Sequence, residues 1–238
     1  MTYSHSSRAR LNPHDLPRFT EPTLFHGIAR VLCEAECLPR KELFESWEVA
    51  RRARRRLRGR RVVDLACGHG LVGQMLMLLD PELECMLGVD KRIPKSAALV
   101  HAALAAKWPR LVGRVMFEQA RVENVRLEPG DLVVSCHACG RLTDHVIAVA
   151  LAARVPVVVL PCCQAESTSP TGGLEGWVDA AFAIDLTRAA HLRAQGYDVY
   201  TQRIPIEVSS KNRLLIGTPA AVRPTGPRPE AMAAVEET

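Results

Sequence analysis

A glycine-rich turn between a short apolar run and a helix-like run is the feature that most constrains how this chain can fold. Residues 62–65 hold two valines and a leucine, and Gly68, Gly70 and Gly73 follow at the start of an apolar, helix-like segment. Glycine suits a sharp turn because the backbone can bend there and can approach a bound molecule with no Cβ in the way. The N–H groups at the start of the helix add hydrogen-bond donors for that molecule. The segment therefore predicts a strand–turn–helix unit that cradles a ligand.

An acidic residue follows the next strand-like run. Asp90 comes after residues 85–89, and Lys91 is its neighbour. In a doubly wound parallel sheet, an acid in this place can accept hydrogen bonds from the ribose hydroxyls of a nucleotide. The glycine turn and Asp90 together predict a cofactor that contains a nucleoside.

Short apolar runs alternate with helix-like segments along most of the chain. The strand-like runs cover residues 61–65, 85–89, 115–119, 131–136 and 155–160. This alternation predicts an α/β fold with a mostly parallel sheet that helices cover on both faces. The last two strand-like runs, 197–204 and 213–217, are joined by a connection too short for a helical crossover. They therefore predict an antiparallel hairpin at one edge of the sheet.

The flanks of this alternating region differ from it in composition. Residues 1–22 are polar and contain three prolines, which predicts a flexible N-terminal arm. Apolar positions recur at helical spacing in residues 23–60, which predicts a helical cap ahead of the sheet. Residues 219–238 are rich in Pro, Ala and Glu and predict a disordered tail. The region between them, residues 61–218, is then the main domain.

The composition excludes several classes of protein. Apolar residues make up 47% of the chain and charged residues 24%, as in a globular protein with a large core. No apolar stretch is long enough to cross a bilayer, and the first residues do not resemble a secretory signal, so we expect no membrane partner. Eight cysteines in a chain without such a signal predict reduced thiols and a cytoplasmic location. The sequence does not predict an oligomeric state.

The spacing of Asp64, Gly68 and Gly70 resembles motif I of class I S-adenosylmethionine-dependent methyltransferases, Asp-x-x-x-Gly-x-Gly. This resemblance implies an enzyme with a Rossmann-like fold, a mostly parallel seven-stranded sheet and a terminal antiparallel hairpin. It also implies S-adenosylmethionine as the cofactor, with the loop under the methionine part and the acid after the second strand on the ribose. The residues that the resemblance assigns to the cofactor are Asp64, Ala66, Cys67, Gly68, Gly70, Asp90, Lys91 and Glu123.

Two other functions stay open at this point. Gly68, Gly70 and Gly73 also match the dinucleotide fingerprint Gly-x-Gly-x-x-Gly, which is typical of NAD(P)-dependent oxidoreductases. Asp64 disfavours that alternative because a carboxylate inside the first strand would lie near an anionic pyrophosphate. A non-catalytic binding module with a methyltransferase fold is the second alternative.

Cysteines and a histidine follow the fourth and fifth strand-like runs. Cys136, His137 and Cys139 follow one run, and Cys162 and Cys163 follow the other. Adjacent strands lie about 4.8 Å apart, so the two loops should face each other at the ligand end of the sheet. His137 is the candidate general base, because imidazole titrates close to neutral pH, and Cys139 and Cys162 are candidate catalytic residues beside it.

Two further interpretations of these cysteines remain open, although we assign no metal. Four thiols, those of Cys136, Cys139, Cys162 and Cys163, are suitable ligands for zinc or an iron–sulfur cluster. The thiols could instead be buried as small apolar side chains.

A second resemblance is narrower than the first. The residues that carry it are His137, Cys139, Gly140, Thr143, Asp144, Pro161, Cys162 and Cys163. This pattern resembles the methyltransferase module of the glutathione S-transferase C-terminal-domain-containing protein and related methyltransferase-like proteins. Some relatives in this wider set act on transfer RNA, so the resemblance slightly favours RNA as the methyl acceptor, which the residues themselves do not identify.

A basic stripe runs from residue 51 to residue 61, where eight of eleven residues are arginine. The rest of the chain would carry a net charge of 5 − 8 = −3. Arginine suits phosphate binding because its planar fork matches phosphate oxygens, so the stripe also favours an RNA partner. The alternative is that these arginines form the solvent face of an amphipathic helix.

Overall fold

The computed structural model describes residues 3–164 and 167–220, in which a seven-stranded sheet is flanked by helices. The strands are β1 (Arg61–Leu65), β2 (Cys85–Asp90), β3 (Val115–Gln119), β4 (Asp131–Cys136), β5 (Val157–Leu160), β6 (Tyr197–Arg203) and β7 (Arg213–Pro219). The α-helices are α1 (Leu24–Ala35), α2 (Arg40–Arg56), α3 (Leu71–Leu79), α4 (Lys95–Lys107), α5 (Arg141–Ala153) and α6 (Ala180–Ala194). Short 3-10 helices cover Pro13–Arg18, Pro109–Leu111 and Val122–Asn124.

The strands lie in the order β3-β2-β1-β4-β5-β7-β6. Strands β1 to β5 are parallel, and β7 is antiparallel to both β5 and β6. The prediction of a mostly parallel sheet with a late antiparallel hairpin is therefore confirmed. The chain leaves β1 towards β2 on one side and returns as β4 on the other. Ligands of open α/β sheets bind at such a switch point, outside the carboxyl ends of the strands.

Two cores form because successive side chains of a strand point to opposite faces of the sheet. Val62 of β1 packs in a core with Leu43 of α2 and Leu76 of α3. Its neighbour Val63 packs in the second core with Ile147 of α5 and Leu192 of α6. Helices therefore cover both faces, which leaves the carboxyl end of the parallel strands as the place for a ligand.

The N-terminal region differs from the flexible arm that the sequence predicts for residues 1–22. Within residues 3–22, Leu11 and Phe19 are buried, and Leu11 N–H donates a hydrogen bond of 2.9 Å to Leu38 O. Asp15 lies 3.1 Å from the guanidinium of Arg40. The apolar side chains and this ion pair hold the segment against α1 and α2, and they outweigh the three prolines on which the prediction relied.

Two other predicted segments can be compared with the structure only in part, or differ from it in detail. The helical segment 23–60 consists of two helices, because Glu36 adopts a left-handed conformation (φ 48°) after α1 and Pro39 precedes α2. Of the predicted tail 219–238, only residues 219 and 220 lie within the described residues. Across residues 3–164 and 167–220, every helix is too short or too polar to cross a bilayer.

Candidate active site

The loop after β1 turns through backbone conformations that favour glycine. Gly68 and Gly70 have φ values of +52° and +67°, and Gly70 precedes the first residue of α3. A Cβ on Gly70 would lie 2.5 Å from Phe117 Cε1, whereas a Cβ on Gly68 would meet no atom within 4 Å. Gly70 is thus required by packing against β3, and Gly68 borders open space that a ligand can occupy.

Two carboxyl groups bracket this loop. Asp64 of β1 is 1% exposed and accepts a hydrogen bond of 3.1 Å from Gly73 N–H. Its burial raises the pKa of its carboxyl to about 8. At the end of β2, Asp90 accepts hydrogen bonds from Gly68 N–H (3.0 Å) and Arg92 N–H (3.1 Å). Both carboxyl groups therefore lie at the carboxyl ends of adjacent strands.

Two adjoining cavities open at this edge of the sheet. One has a volume of about 240 Å³, and its wall includes the predicted residues Asp64, Ala66, Cys67, Gly68, Asp90 and His137. The other has a volume of about 220 Å³, and its wall includes the predicted residues Ala66, Asp90, Lys91 and Glu123. Ala66 and Asp90 belong to both cavities. Of the eight predicted cofactor residues, only Gly70 lies outside these walls, where the loop packs against Phe117.

Helix α2 brings acidic side chains to the first cavity. Glu42 Oε2 lies 3.2 Å from His69 Nε2, and Glu45 Oε2 lies 3.2 Å from His137 Nε2. Glu42 and Ser46 of this helix line the cavity, and Glu45 is 1% exposed. Glu42, Glu45 and Ser46 are not among the residues predicted from the sequence. A signal was present, because acids three residues apart lie on the same face of a helix.

His137 follows β4 in a left-handed conformation with φ at 79°. This conformation is uncommon for a residue with a bulky side chain, and such residues concentrate at functional sites. The backbone N–H of His137 lies 3.4 Å from Leu160 O at the end of β5. The adjacent strand therefore helps to hold the histidine at the wall of the cavity.

Three of the predicted thiols come together, and a fourth does not. Cys139 Sγ and Cys162 Sγ are 3.2 Å apart, and Cys163 Sγ lies within 4.8 Å of both. Cys136 is buried and is not part of this group. Burial raises the pKa of the Cys139 and Cys162 thiols. The predicted set of four thiol ligands is therefore not brought together. Of the four cysteines, Cys136 is the one whose burial agrees with a role in apolar packing.

A buried arginine supports the loop that carries these residues. Arg188 of α6 is 4% exposed, and its Nη2 donates a hydrogen bond of 3.0 Å to Gly140 O. Its Nε donates a hydrogen bond of 2.6 Å to Asp144 Oδ1, and its Nη1 lies 3.2 Å from Asp185 Oδ1. Arg188 thus connects α6, the start of α5 and the loop after β4.

Sequence and structure comparisons identify the family. The family model described as a methyltransferase domain matches residues 42–169, more than half of the chain. The chain belongs to this methyltransferase family. It is an S-adenosylmethionine-dependent methyltransferase, as the sequence predicts, and this result excludes the oxidoreductase alternative. No curated protein sequence matches the chain.

Solved structures support the same fold. The methyltransferase domain of bacterial CtHen1-C is similar to this chain with a TM-score of 0.50 and 16% identity, over 75% of this chain and 98% of that one. A candidate O-methyltransferase from Nostoc punctiforme is similar with a TM-score of 0.50 and 14% identity, over 86% of this chain and 67% of that one. At these identities the comparison establishes the methyltransferase fold and no acceptor.

The residues at the two cavities fit S-adenosylmethionine. The open space above Gly68 is a cradle that a Cβ would fill. The buried carboxyl of Asp64 suits the cationic methionine part of the cofactor, and Asp90 stands where the two cavities meet and can accept ribose hydroxyls. The second cavity, which Val122, Leu142 and Glu123 line, can hold the adenine.

The two glycines of the methyltransferase loop should respond differently to alanine. We expect Gly70→Ala to lower the free energy of unfolding by about 2–4 kcal/mol, because it adds a clash with Phe117 to the left-handed strain. Gly68→Ala carries the backbone strain alone, about 1–2 kcal/mol, but should weaken the binding of S-adenosylhomocysteine at least tenfold. Urea denaturation and calorimetric titration of both variants measure these effects. Unchanged affinity in Gly68→Ala would show that the ligand does not approach this residue.

Arg188→Met should destabilise the methyltransferase fold by about 3 kcal/mol, since it removes the arginine that pairs with Asp144 and leaves Asp185 with Arg213 as its remaining cationic partner. Arg193→Met removes an exposed arginine from the same helix and should change stability by less than about 0.5 kcal/mol. Urea denaturation of the two variants tests this difference. Equal stability of the two variants would contradict the structural role of Arg188.

Asp64→Asn should make the cofactor-free protein more stable at high pH. The folded-state pKa of Asp64 is raised from 3.8 to about 8, so its stabilising contribution is present below pH 3.8 and is lost as the pH rises towards 8. Asparagine stays neutral and avoids this loss. We expect the stability difference between variant and wild type to grow by a few kcal/mol from pH 5 to pH 9, as measured by urea denaturation. A difference that does not depend on pH would contradict the raised pKa.

Proposed function

We propose that this methyltransferase methylates a nucleophile whose proton is accepted by His137. The observation that carries this proposal is the pairing of His137 Nε2 with the buried Glu45 Oε2 at 3.2 Å, on the wall of the cavity that Asp64 and Gly68 also line. When bound there, S-adenosylmethionine supplies a methyl group on a sulfonium, which is electrophilic. The protein then has to position the acceptor and take up its proton.

Glu45 orients the imidazole for this task. Within the described chain, Glu45 Oε2 and His137 Nε2 are buried 3.2 Å apart, and neither atom has a hydrogen-bond partner of favourable geometry. A proton on Nε2 between them satisfies both atoms and leaves Nδ1 as the basic nitrogen. When Nδ1 accepts a proton from the acceptor, the resulting imidazolium faces the Glu45 carboxylate. Lys41 Nζ, 3.3 Å from Glu45 Oε1, holds the other oxygen of this carboxyl.

The residues that we assign to cofactor binding and to proton transfer line one cavity, together with residues of α2. We assign the ribose hydroxyls to Asp90 and the ammonium group to Asp64, and we assign α1 and α2 the role of a cap. Glu42 and Ser46 of α2 line the same cavity as Gly68 and His137, which supports this role. A helix in this place limits the access of water to the reacting atoms. Cys139 and Cys162 follow the strands beside His137 and form part of the acceptor side of the site.

We propose RNA as the acceptor class. Several arginines of the basic stripe are engaged within the protein: Arg51 and Arg52 contact Glu48, Arg60 contacts Glu84 and Arg61 contacts Asp131. Arg55, Arg56 and Arg58 are exposed; Arg56 lies 3.8 Å above the ring of Tyr200, and Arg58 Nη1 donates hydrogen bonds to Arg54 O and Leu57 O. Ten residues of helix separate Glu45 from Arg55, about 15 Å, which a few nucleotides can span. These exposed guanidinium groups support contacts to RNA phosphates.

Two finer assignments belong to the same proposal. The residue pattern after β4 and β5 supports a relationship between this chain and the methyltransferase module of the glutathione S-transferase C-terminal-domain-containing protein. The eight cysteines are free thiols, which supports a cytoplasmic, reducing environment.

Transfer of a labelled methyl group tests the acceptor class. The full chain is incubated with methyl-labelled S-adenosylmethionine and, separately, with small RNA and with a protein fraction. We expect label in RNA, and we expect the double variant Arg55→Ala, Arg58→Ala to raise the KM for RNA while its affinity for S-adenosylhomocysteine stays unchanged. Arg60→Ala, which removes an arginine already paired with Glu84, is the matched control. Label in the protein fraction alone would overturn the RNA assignment.

A further inference from the structure

We propose that Cys139, Cys162 and Cys163 form a zinc site at the ends of β4 and β5. Their three sulfur atoms lie within 4.8 Å of one another, and two of them, those of Cys139 and Cys162, are 3.2 Å apart. This site goes beyond the proposed methyl transfer and does not depend on which acceptor the enzyme uses.

The spacing of the sulfur atoms suits one tetrahedral ion. Zinc–thiolate bonds are about 2.3 Å long, so thiolates on a tetrahedral zinc lie about 3.8 Å apart. Of the three distances among these sulfur atoms, the one between Cys139 and Cys162 is 3.2 Å and the other two are at most 4.8 Å, so small shifts bring all three to that value. Binding displaces the three thiol protons to solvent and forms three Zn–S bonds, and no electrons are transferred.

Hydrogen bonds fix the backbone around the three thiols without a bound ion. Gly140 N–H donates a hydrogen bond of 2.8 Å to Cys163 O, which ties the loop after β4 to the loop after β5. Arg188 Nη2 holds Gly140 O from the other side. The two loops that carry the ligands are therefore fixed relative to each other, and this lowers the entropic cost of binding an ion.

Apolar packing does not explain this cluster. Free cysteines that serve in packing are among the most buried residues, yet Cys139 and Cys163 are exposed. Exposure gives an ion access and leaves a fourth coordination position open. Zinc sites with three protein ligands and one open position take water or a substrate atom in the fourth place. The open position here lies at the ligand end of the sheet.

Metal analysis of the full chain tests the site. The protein is produced in zinc-supplemented medium, purified with a non-thiol reductant and analysed for zinc and protein on the same sample. We expect one zinc per chain in the wild type and in the control Cys85→Ser, and at least a tenfold loss in Cys139→Ser and Cys163→Ser. Replacement by cobalt should give the sulfur-to-cobalt charge-transfer absorption of thiolate ligands, and that absorption should disappear in the same two variants.

A folding check separates loss of the site from loss of the fold. Circular dichroism and the affinity for S-adenosylhomocysteine should be unchanged in Cys163→Ser, because this residue is exposed and outside the cofactor cavities. Wild-type protein without zinc under reducing conditions would overturn the proposal. Equal zinc content in the wild type and in the triple serine variant of the cluster would also overturn it, since the metal would then be bound elsewhere.

Discussion

Asp90→Ala is expected to weaken the binding of S-adenosylhomocysteine by about 10²- to 10⁴-fold, because two hydrogen bonds to a charged group are worth about 3–6 kcal/mol together. Asp90 lines both cavities. It also contacts the glycine loop, because its carboxylate accepts a hydrogen bond from Gly68 N–H. Its loss removes the carboxylate assigned to the ribose and one anchor of the loop. Calorimetric titration of the variant measures the affinity directly.

Two further variants separate ligand contact from loop support. Asp90→Asn keeps an oxygen that can accept the Gly68 N–H but removes the charge, so its affinity should lie between those of wild type and Asp90→Ala. Asp198→Ala removes an exposed acid from β6 and should bind like the wild type. Wild-type affinity in a folded Asp90→Ala protein would refute the assignment of the ribose to this residue.

His137→Asn is expected to lower kcat by about 10²- to 10⁴-fold, the usual contribution of a general base. Asparagine is the suitable replacement because it tolerates the left-handed backbone that His137 adopts at φ 79°. Affinity for S-adenosylhomocysteine should stay within a few-fold of wild type. The measurement is single-turnover transfer of labelled methyl to the RNA fraction that the wild-type enzyme modifies.

The partner of His137 offers a second readout. Glu45→Gln keeps the shape of the side chain but removes the charge that faces Nε2, so kcat should fall while KM for the acceptor changes little. Glu34→Gln, an exposed position on α1, is the control and should keep wild-type kcat. Full transfer by a folded His137→Asn protein would show that another group accepts the proton.

Local sequence signals predicted the fold and the cofactor loop. The run from Asp64 to Gly73 predicted a strand, a turn and a helix because each conformation depends on neighbouring residues. In the structure this segment contains the end of β1, a turn in which Gly68 and Gly70 are left-handed, and the start of α3. The late hairpin was also predictable, because the connection between β6 and β7 is too short for a crossover.

Contacts between distant residues were not predictable in the same way. The approach of Glu45 to His137 depends on how α2 packs across the sheet, and their positions along the chain do not show it. The arginine stripe is a similar case, since Arg60 meets Glu84 and Arg61 meets Asp131 only after the strands pair. The stripe therefore carries less unpaired charge than its sequence indicates.

Titration of the full chain with S-adenosylhomocysteine and with NAD tests the cofactor assignment most directly. We expect one S-adenosylhomocysteine per chain with micromolar affinity and no measurable binding of NAD. The buried carboxyl of Asp64 adds a pH dependence, because affinity for the ammonium group should rise as this carboxyl ionises towards pH 8. A folded protein that binds NAD, or that does not bind S-adenosylhomocysteine, would contradict the assignment of S-adenosylmethionine as the cofactor.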